Sequence, residues 1–166
     1  NAAAAWNVPL ETFTKQVDSV QICLSKGLGA PVGSVICSSR EFIDRARHWR
    51  KKVGGGLRQV GVLAAAGLYA IEHNAARIAE DHANAARIGE ILRDGGLEVQ
   101  SVRKPTNMVY FAVKDAPDLA SRCAGLGVLF SPADEGRVRL VTHLDVSPED
   151  AVKAAECIVR EARRAG

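Results

Sequence analysis

A glycine pair, Gly95-Gly96, splits the chain into two textures, and this split constrains the fold more than any other feature of the sequence. Ahead of it, Ile78, Ala85, Ile88 and Leu92 recur on one face of a helix predicted over residues 75–93, which the two glycines terminate. Beyond it, short apolar runs alternate with turn residues. Residues 97–102 and 108–113 are predicted strands, 117–126 a helix, and 128–130 and 138–142 two further strands. Ser147 caps a last helix with Pro148 in its first turn, and Ala151, Val152, Ala155, Ile158, Val159 and Ala162 make its buried stripe. The expected organisation is residues 1–94 as one body and residues 95–166 as a small α+β domain.

The earlier residues read as α/β. Pro9 suits the first turn of a short helix reaching Gln16. Residues 19–24 form an apolar strand ended by Ser25-Lys26-Gly27-Leu28-Gly29-Ala30-Pro31, and residues 33–37 read as a second, buried strand. Ser38 then opens a helix with Glu41 as its capping-box partner, and Phe42, Ile43, Ala46 and Trp49 supply a buried face. Gly54-Gly55-Gly56 stops that helix and leads into a helix of small residues running to about His73.

Composition removes several classes of protein. With 47% hydrophobic and 25% charged residues the chain is globular, not disordered. Its longest nearly apolar run, residues 61–71, is about half of the ~20 residues a membrane-spanning helix needs, and no secretory leader pattern is present. Cys23, Cys37, Cys123 and Cys157 lack any Cys-x-x-Cys pair, so they are expected as reduced, largely buried thiols in a cytoplasmic protein that binds no metal. A net charge of +3 does not argue for nucleic acid. The chain opens at Asn1 directly into the helix-like Ala2 to Trp6, and is expected to be a piece of something longer.

The chemistry centres on Lys26. A lysine just past an apolar strand can be desolvated, which favours the free amine that attacks a carbonyl. The nearby glycines, lacking Cβ atoms, let backbone pass close to a flat cofactor. A solvated turn lysine is the competing reading of the same residues.

The segment Asp18-Ser19-Val20-Gln21-Ile22-Cys23-Leu24-Ser25-Lys26-Gly27-Leu28-Gly29-Ala30-Pro31-Val32-Gly33-Ser34 closely resembles the lysine segment of the L-threonine aldolases. The likeness continues through Gly54-Gly55-Gly56-Leu57-Arg58-Gln59-Val60-Gly61-Val62-Leu63-Ala64-Ala65-Ala66-Gly67. It returns in Glu80-Asp81-His82-Ala83-Asn84-Ala85, in Thr106-Asn107-Met108-Val109 and in Arg139-Leu140-Val141-Thr142-His143. The resemblance implies the C-terminal part of a fold-type I, aspartate-aminotransferase-like α/β fold that binds pyridoxal 5'-phosphate. In this reading residues 1–94 end the large domain and 95–166 are the small one.

By resemblance, Lys26 forms the Schiff base with the cofactor. Arg58 lies near the cofactor phosphate, reaching the site of a neighbouring subunit, and Arg139 grips the substrate α-carboxylate. A guanidinium fork suits that bidentate contact better than an ammonium does. Strand alternation sets Arg139, Val141 and His143 on one face, with a backbone-bonded structural role equally open to His143. Lys51 matches a basic position at the cofactor entrance. His82 is expected at a helix interface or an intersubunit seam, and His48 and His73 in solvent.

The implied reaction splits L-threonine or L-allo-threonine into glycine and acetaldehyde, in a homo-oligomeric enzyme of threonine catabolism and glycine biosynthesis. The likeness starts just after the family's Asp-Gly-Ala-Arg segment, so this chain by itself is expected to be a poor catalyst. The competing expectations are a related fold-type I lyase or aminotransferase, or a non-catalytic assembly chain. Nucleic-acid binding through Arg45, Arg47, His48, Trp49, Arg50, Lys51 and Lys52 is set aside because Phe42, Ala46 and Trp49 read as a buried face.

Overall fold

A computed structural model describes residues 1–164, which divide into two compact units. One comprises residues 6–78, the other residues 1–5 and 79 onward. The architecture is α/β.

In the first unit, the short α2 (Glu11–Thr14) leads into β1 (Val20–Cys23), which pairs antiparallel with β2 (Ser34–Cys37). Leu24 N donates to Gly33 O and Ala30 N to Leu24 O, both at 2.9 Å, closing the base of the loop between the strands. Next comes α3 (Arg40–Lys52), whose N-cap is Ser39 and not Ser38. Ser39 Oγ accepts from Phe42 N at 3.3 Å, while Ser38 Oγ donates to the Asp18 carbonyl at 2.7 Å, so the cap moves on by one residue and Glu41 no longer stands at the capping-box position. After an extended, exposed stretch, α4 (Gly61–Tyr69) runs into a π turn (Ala70–Asn74) and a 3-10 turn (Ala75–Arg77). The predicted helix to His73 is thus closed by a widened turn.

Two expectations of burial fail in this unit. β2 is exposed at all four positions, and the apolar side of α3 is open, with Trp49 60% exposed. The physical reason is the scarcity of neighbours: a two-stranded sheet and short helices offer no second layer. Only Ala30, Gly67 and Ala70 are buried here.

The second unit has a true core. It takes in the first residues of α1 (Ala2–Trp6) and nearly all of α5 (Ile78–Asp94), then β3 (Met108–Ala112), α6 (Ala116–Ala124), β4 (Pro132–Asp134), β5 (Arg137–Val141) and α7 (Pro148–Arg164). The sheet order is β3-β5-β4, all antiparallel. In register, Val109 faces Leu140 and Phe111 faces Val138. These four point inward onto Leu92, Leu119 and Ile158, from α5, α6 and α7. Each such side chain contributes about 1.5–3 kcal/mol on full burial. The α7 stripe holds, with Ala151, Ala155 and Ile158 buried and Val159 and Ala162 packed against the core.

The strand predicted at 97–102 survives as one bridge, Val99 to Phe111, with Gln100 N donating to Tyr110 O at 2.8 Å. The strand predicted at 128–130 is displaced to β4. There the hairpin to β5 is set by Asp134, whose carboxylate accepts from Gly136 N at 3.1 Å and from Arg137 at 2.7 Å.

All four cysteines are free, but only Cys123 and Cys157 are buried, and Cys37 is exposed because β2 is. Burial first, and then the adjacent Cys157, push the Cys123 thiol up to about 12, which keeps it inert. Among the described residues no helix is long and apolar enough to cross a membrane.

Candidate active site

The Lys26 turn is built by backbone bonds. Gly29 N donates to Lys26 O at 2.8 Å, and Gly29 takes a left-handed φ of 72°, which a side chain would resist. A Cβ added at Gly27 would meet nothing within 4 Å, so the space beside the lysine is open. Lys26 is exposed, and among the described residues no hydrogen bond or ion pair engages its side chain. The burial expected to desolvate it is not supplied by its own unit.

Arg58 lies in the same unit, in an exposed bend ahead of α4, followed by Gln59 at a left-handed φ of 50°. Lys51 is exposed near the end of α3. In the basic run, Arg47 pairs with Asp44 at 3.3 Å and Lys52 Nζ sits 4.9 Å over the Trp49 ring. That ring is solvated, contrary to the buried face expected of it. His48 and His73 are exposed as expected, though His73 stacks on Tyr69 with ring centroids 4.1 Å apart.

Arg139 belongs to the other unit, on the solvent face of β5. The expected alternation is present: Arg139 and Val141 are exposed, Leu140 and Thr142 buried. Its register partner on β3 is Tyr110, a neighbour that only the strand pairing reveals. Just past β5, the exposed His143 Nδ1 accepts from Asp145 N at 3.4 Å and lies 3.5 Å from the Asp145 carboxylate. That favours the backbone-bonded role. Arg139 and His143 line one open cleft of about 340 Å³ with Phe130, Ser131 and Val146. A larger cleft of about 430 Å³, beside Lys114, Asp118 and Arg122, contains none of the candidate catalytic or binding residues read from sequence.

The end of β5 is tied down firmly. Thr142 Oγ1 donates to Asp81 O at 2.6 Å, Thr142 N to Asn107 O at 3.0 Å, and Asn107 Nδ2 back to Thr142 O at 3.0 Å. Two of the segments that carry the resemblance, around Asp81 and Asn107, therefore brace the strand bearing Arg139. His82, on α5, bonds the Asn1 side chain at 2.9 Å, and burial holds its imidazole below the usual value. Among the described residues no cluster of three or more His, Cys, Asp or Glu could hold a metal ion.

Lys26 thus sits on a tight turn of one unit and Arg139 on a braced strand of the other, and the comparisons with known proteins give the family. The chain belongs to the β-eliminating lyase family, whose profile matches residues 1–116. It is 47% identical over 157 residues to the low specificity L-threonine aldolase of Escherichia coli (strain K12), covering 93% of this chain and 46% of that protein. It is 39% identical over 163 residues to low-specificity L-threonine aldolase 1 of Arabidopsis thaliana, covering 95% and 46%. The chain thus spans about half the length of the curated relatives it matches. Among solved structures, the serine palmitoyltransferase of Sphingomonas wittichii superposes with a TM-score of 0.71 at 20% identity, covering 90% of this chain and 41% of that one. At that identity the likeness shows the fold, which is the α/β fold that the resemblance implied.

Proposed function

We propose that this chain carries the lysine and a carboxylate-binding arginine of a pyridoxal 5'-phosphate-dependent aldehyde-lyase, which cleaves L-threonine and L-allo-threonine to glycine and acetaldehyde. The observation that carries the reading is Lys26: an amine free of any ion pair, on a glycine-flanked turn, within a segment matching threonine aldolases. The residues present fit the cofactor. A primary amine can condense with its aldehyde, the open space at Gly27 leaves room for a flat ring, and Arg58 in its exposed bend offers a guanidinium to a phosphate.

Pyridoxal phosphate, when bound, supplies the electron sink for the Cα–Cβ bonding pair. Lys26 would hold the cofactor through its side-chain amine, the group whose place the substrate amine would take. Arg139 fixes the α-carboxylate by a two-pronged contact, which decides which Cα bond is aligned for cleavage. Bond breaking also requires that the β-hydroxyl lose a proton as acetaldehyde leaves and that Cα gain one as glycine forms.

The reading extends to a homo-oligomer in the cytoplasm, in threonine catabolism and glycine formation, with Arg58 serving a neighbouring subunit and the small domain starting at residue 95. Open apolar surface on the first unit favours a second reading, a non-catalytic assembly chain. Borohydride reduction in the presence of pyridoxal phosphate, followed by peptide mass spectrometry, separates the two. Label on Lys26 that disappears in Lys26→Ala, with little glycine or acetaldehyde formed from threonine by this chain alone, is the expected result. An unlabelled Lys26 overturns the enzymatic reading.

A further inference from the structure

The Lys26 turn receives a hydrogen bond from far along the chain. Asn74 Nδ2 donates to the carbonyl of Leu28 at 2.8 Å, across 46 residues of sequence. Leu28 is an inner residue of the turn closed by Gly29 N on Lys26 O, so the bond grips the turn itself and not its flanks. Asn74 is half-buried and ends the π turn that follows α4.

The same segment meets the loop at a second place. Gly67 on α4 is buried, and a Cβ added there would stand 3.1 Å from Leu24 Cδ1. Ala70, at 1% exposure, lies between Gly67 and Asn74 in sequence. The helix thus supports the loop through apolar contact at its base and through a directional bond at its tip. The two act differently. Apolar contact is tolerant of rotation, whereas an amide aimed at one carbonyl fixes the orientation of the Leu28–Gly29 peptide. With glycines at 27 and 29, the turn has little stiffness of its own. An outside constraint is what gives it one shape.

We propose that Asn74 is a positioning residue for Lys26: by holding the Leu28 carbonyl it sets the turn in the form that presents the lysine amine to an aldehyde. This rests on the reading of Lys26 given above. A rigid element that pre-places a reacting group lowers the entropy lost when the bond forms.

The test uses the full chain with Asn74→Asp and Asn74→Ala, the first keeping shape while removing the donor. Pyridoxal phosphate is added, the adduct is trapped with borohydride at timed intervals, and labelling of Lys26 is followed by peptide mass spectrometry. Hydrogen exchange at the Gly29 and Ala30 amides is read on the same proteins without cofactor. Both variants are expected to label Lys26 about tenfold more slowly, the equivalent of one lost hydrogen bond, and to exchange faster at Gly29. Asn74→Gln, which retains the amide, should recover part of the rate. Labelling within twofold of the parent in both Asp and Ala variants overturns the positioning role. If the parent shows no label on Lys26 while exchange at Gly29 still rises in the variants, the bond is structural only. The proposed function then fails first, and the positioning role with it.

Discussion

Burial pushes the Glu161 carboxyl up, but hydrogen bonds and charge from Arg160 and Arg164 pull it down by more, leaving it below the usual glutamate range. Its side chain is 4% exposed, with Arg164 at 2.9 Å and Arg160 at 3.3 Å, while Arg122 bonds both its carboxylate and its backbone carbonyl. A carboxyl lowered in the folded state binds fewer protons there than when unfolded, so it stabilises above its unfolded value and loses that contribution as pH falls through the folded one. Glu161→Gln should therefore be less stable than the parent at pH ~7, with the gap closing below pH ~4.5. Denaturant titrations at several pH values measure this, and a gap that stays constant would contradict it. Single residues were also where the sequence was most and least informative. Lys26 announces itself through its own neighbours, because a turn is local. Asn74 and Tyr110 do not, since what makes each of them matter is a partner that folding brings from elsewhere in the chain.

Elements formed where local chemistry decided them and shifted where pairing did. The α5 and α7 stripes and the alternation of β3 and β5 follow from periodicities of 3.6 and 2, and both were readable in advance. The N-cap of α3 went to Ser39 because Ser38 spends its hydroxyl on Asp18, a competition that sequence does not display. At 128–130, Val128 and Phe130 are half-buried against the core and Leu129 is exposed, without any ladder, and the neighbouring hairpin takes the third strand instead. Gly95 gives the sharpest element-level prediction. An added Cβ would stand 2.7 Å from Val159 Cγ1 and 3.1 Å from Val159 Cβ, atoms of a stiff, branched side chain that cannot swing aside. Gly95→Ala should cost about 1–3 kcal/mol of stability through overpacking, seen as an earlier denaturation midpoint. A change within experimental scatter would mean that α5 and α7 part more easily than their packing suggests.

Across the molecule, apolar surface is distributed unevenly. The second unit encloses Phe111, Leu92, Leu119 and Ile158 almost completely, whereas the first leaves Ile22, Ile36, Phe42, Trp49, Leu57 and Tyr69 exposed. Large apolar side chains exposed in this number are expected to be covered by other protein. Trp6 and Trp49, at 46% and 60% exposure, report on it directly. Their fluorescence is expected to be that of solvated indole and open to quenching by acrylamide, with a blue shift when a partner binds; shielded tryptophans in the free chain would refute it. The knot around Thr142 has a consequence of another kind. Its amide is shut inside, its acceptor Asn107 is held by a reciprocal bond, and its hydroxyl reaches α5. No partial fraying frees that proton, so its escape to deuterium should keep time with the opening of the unit as a whole. The strand that carries Arg139 thus comes with its own clock.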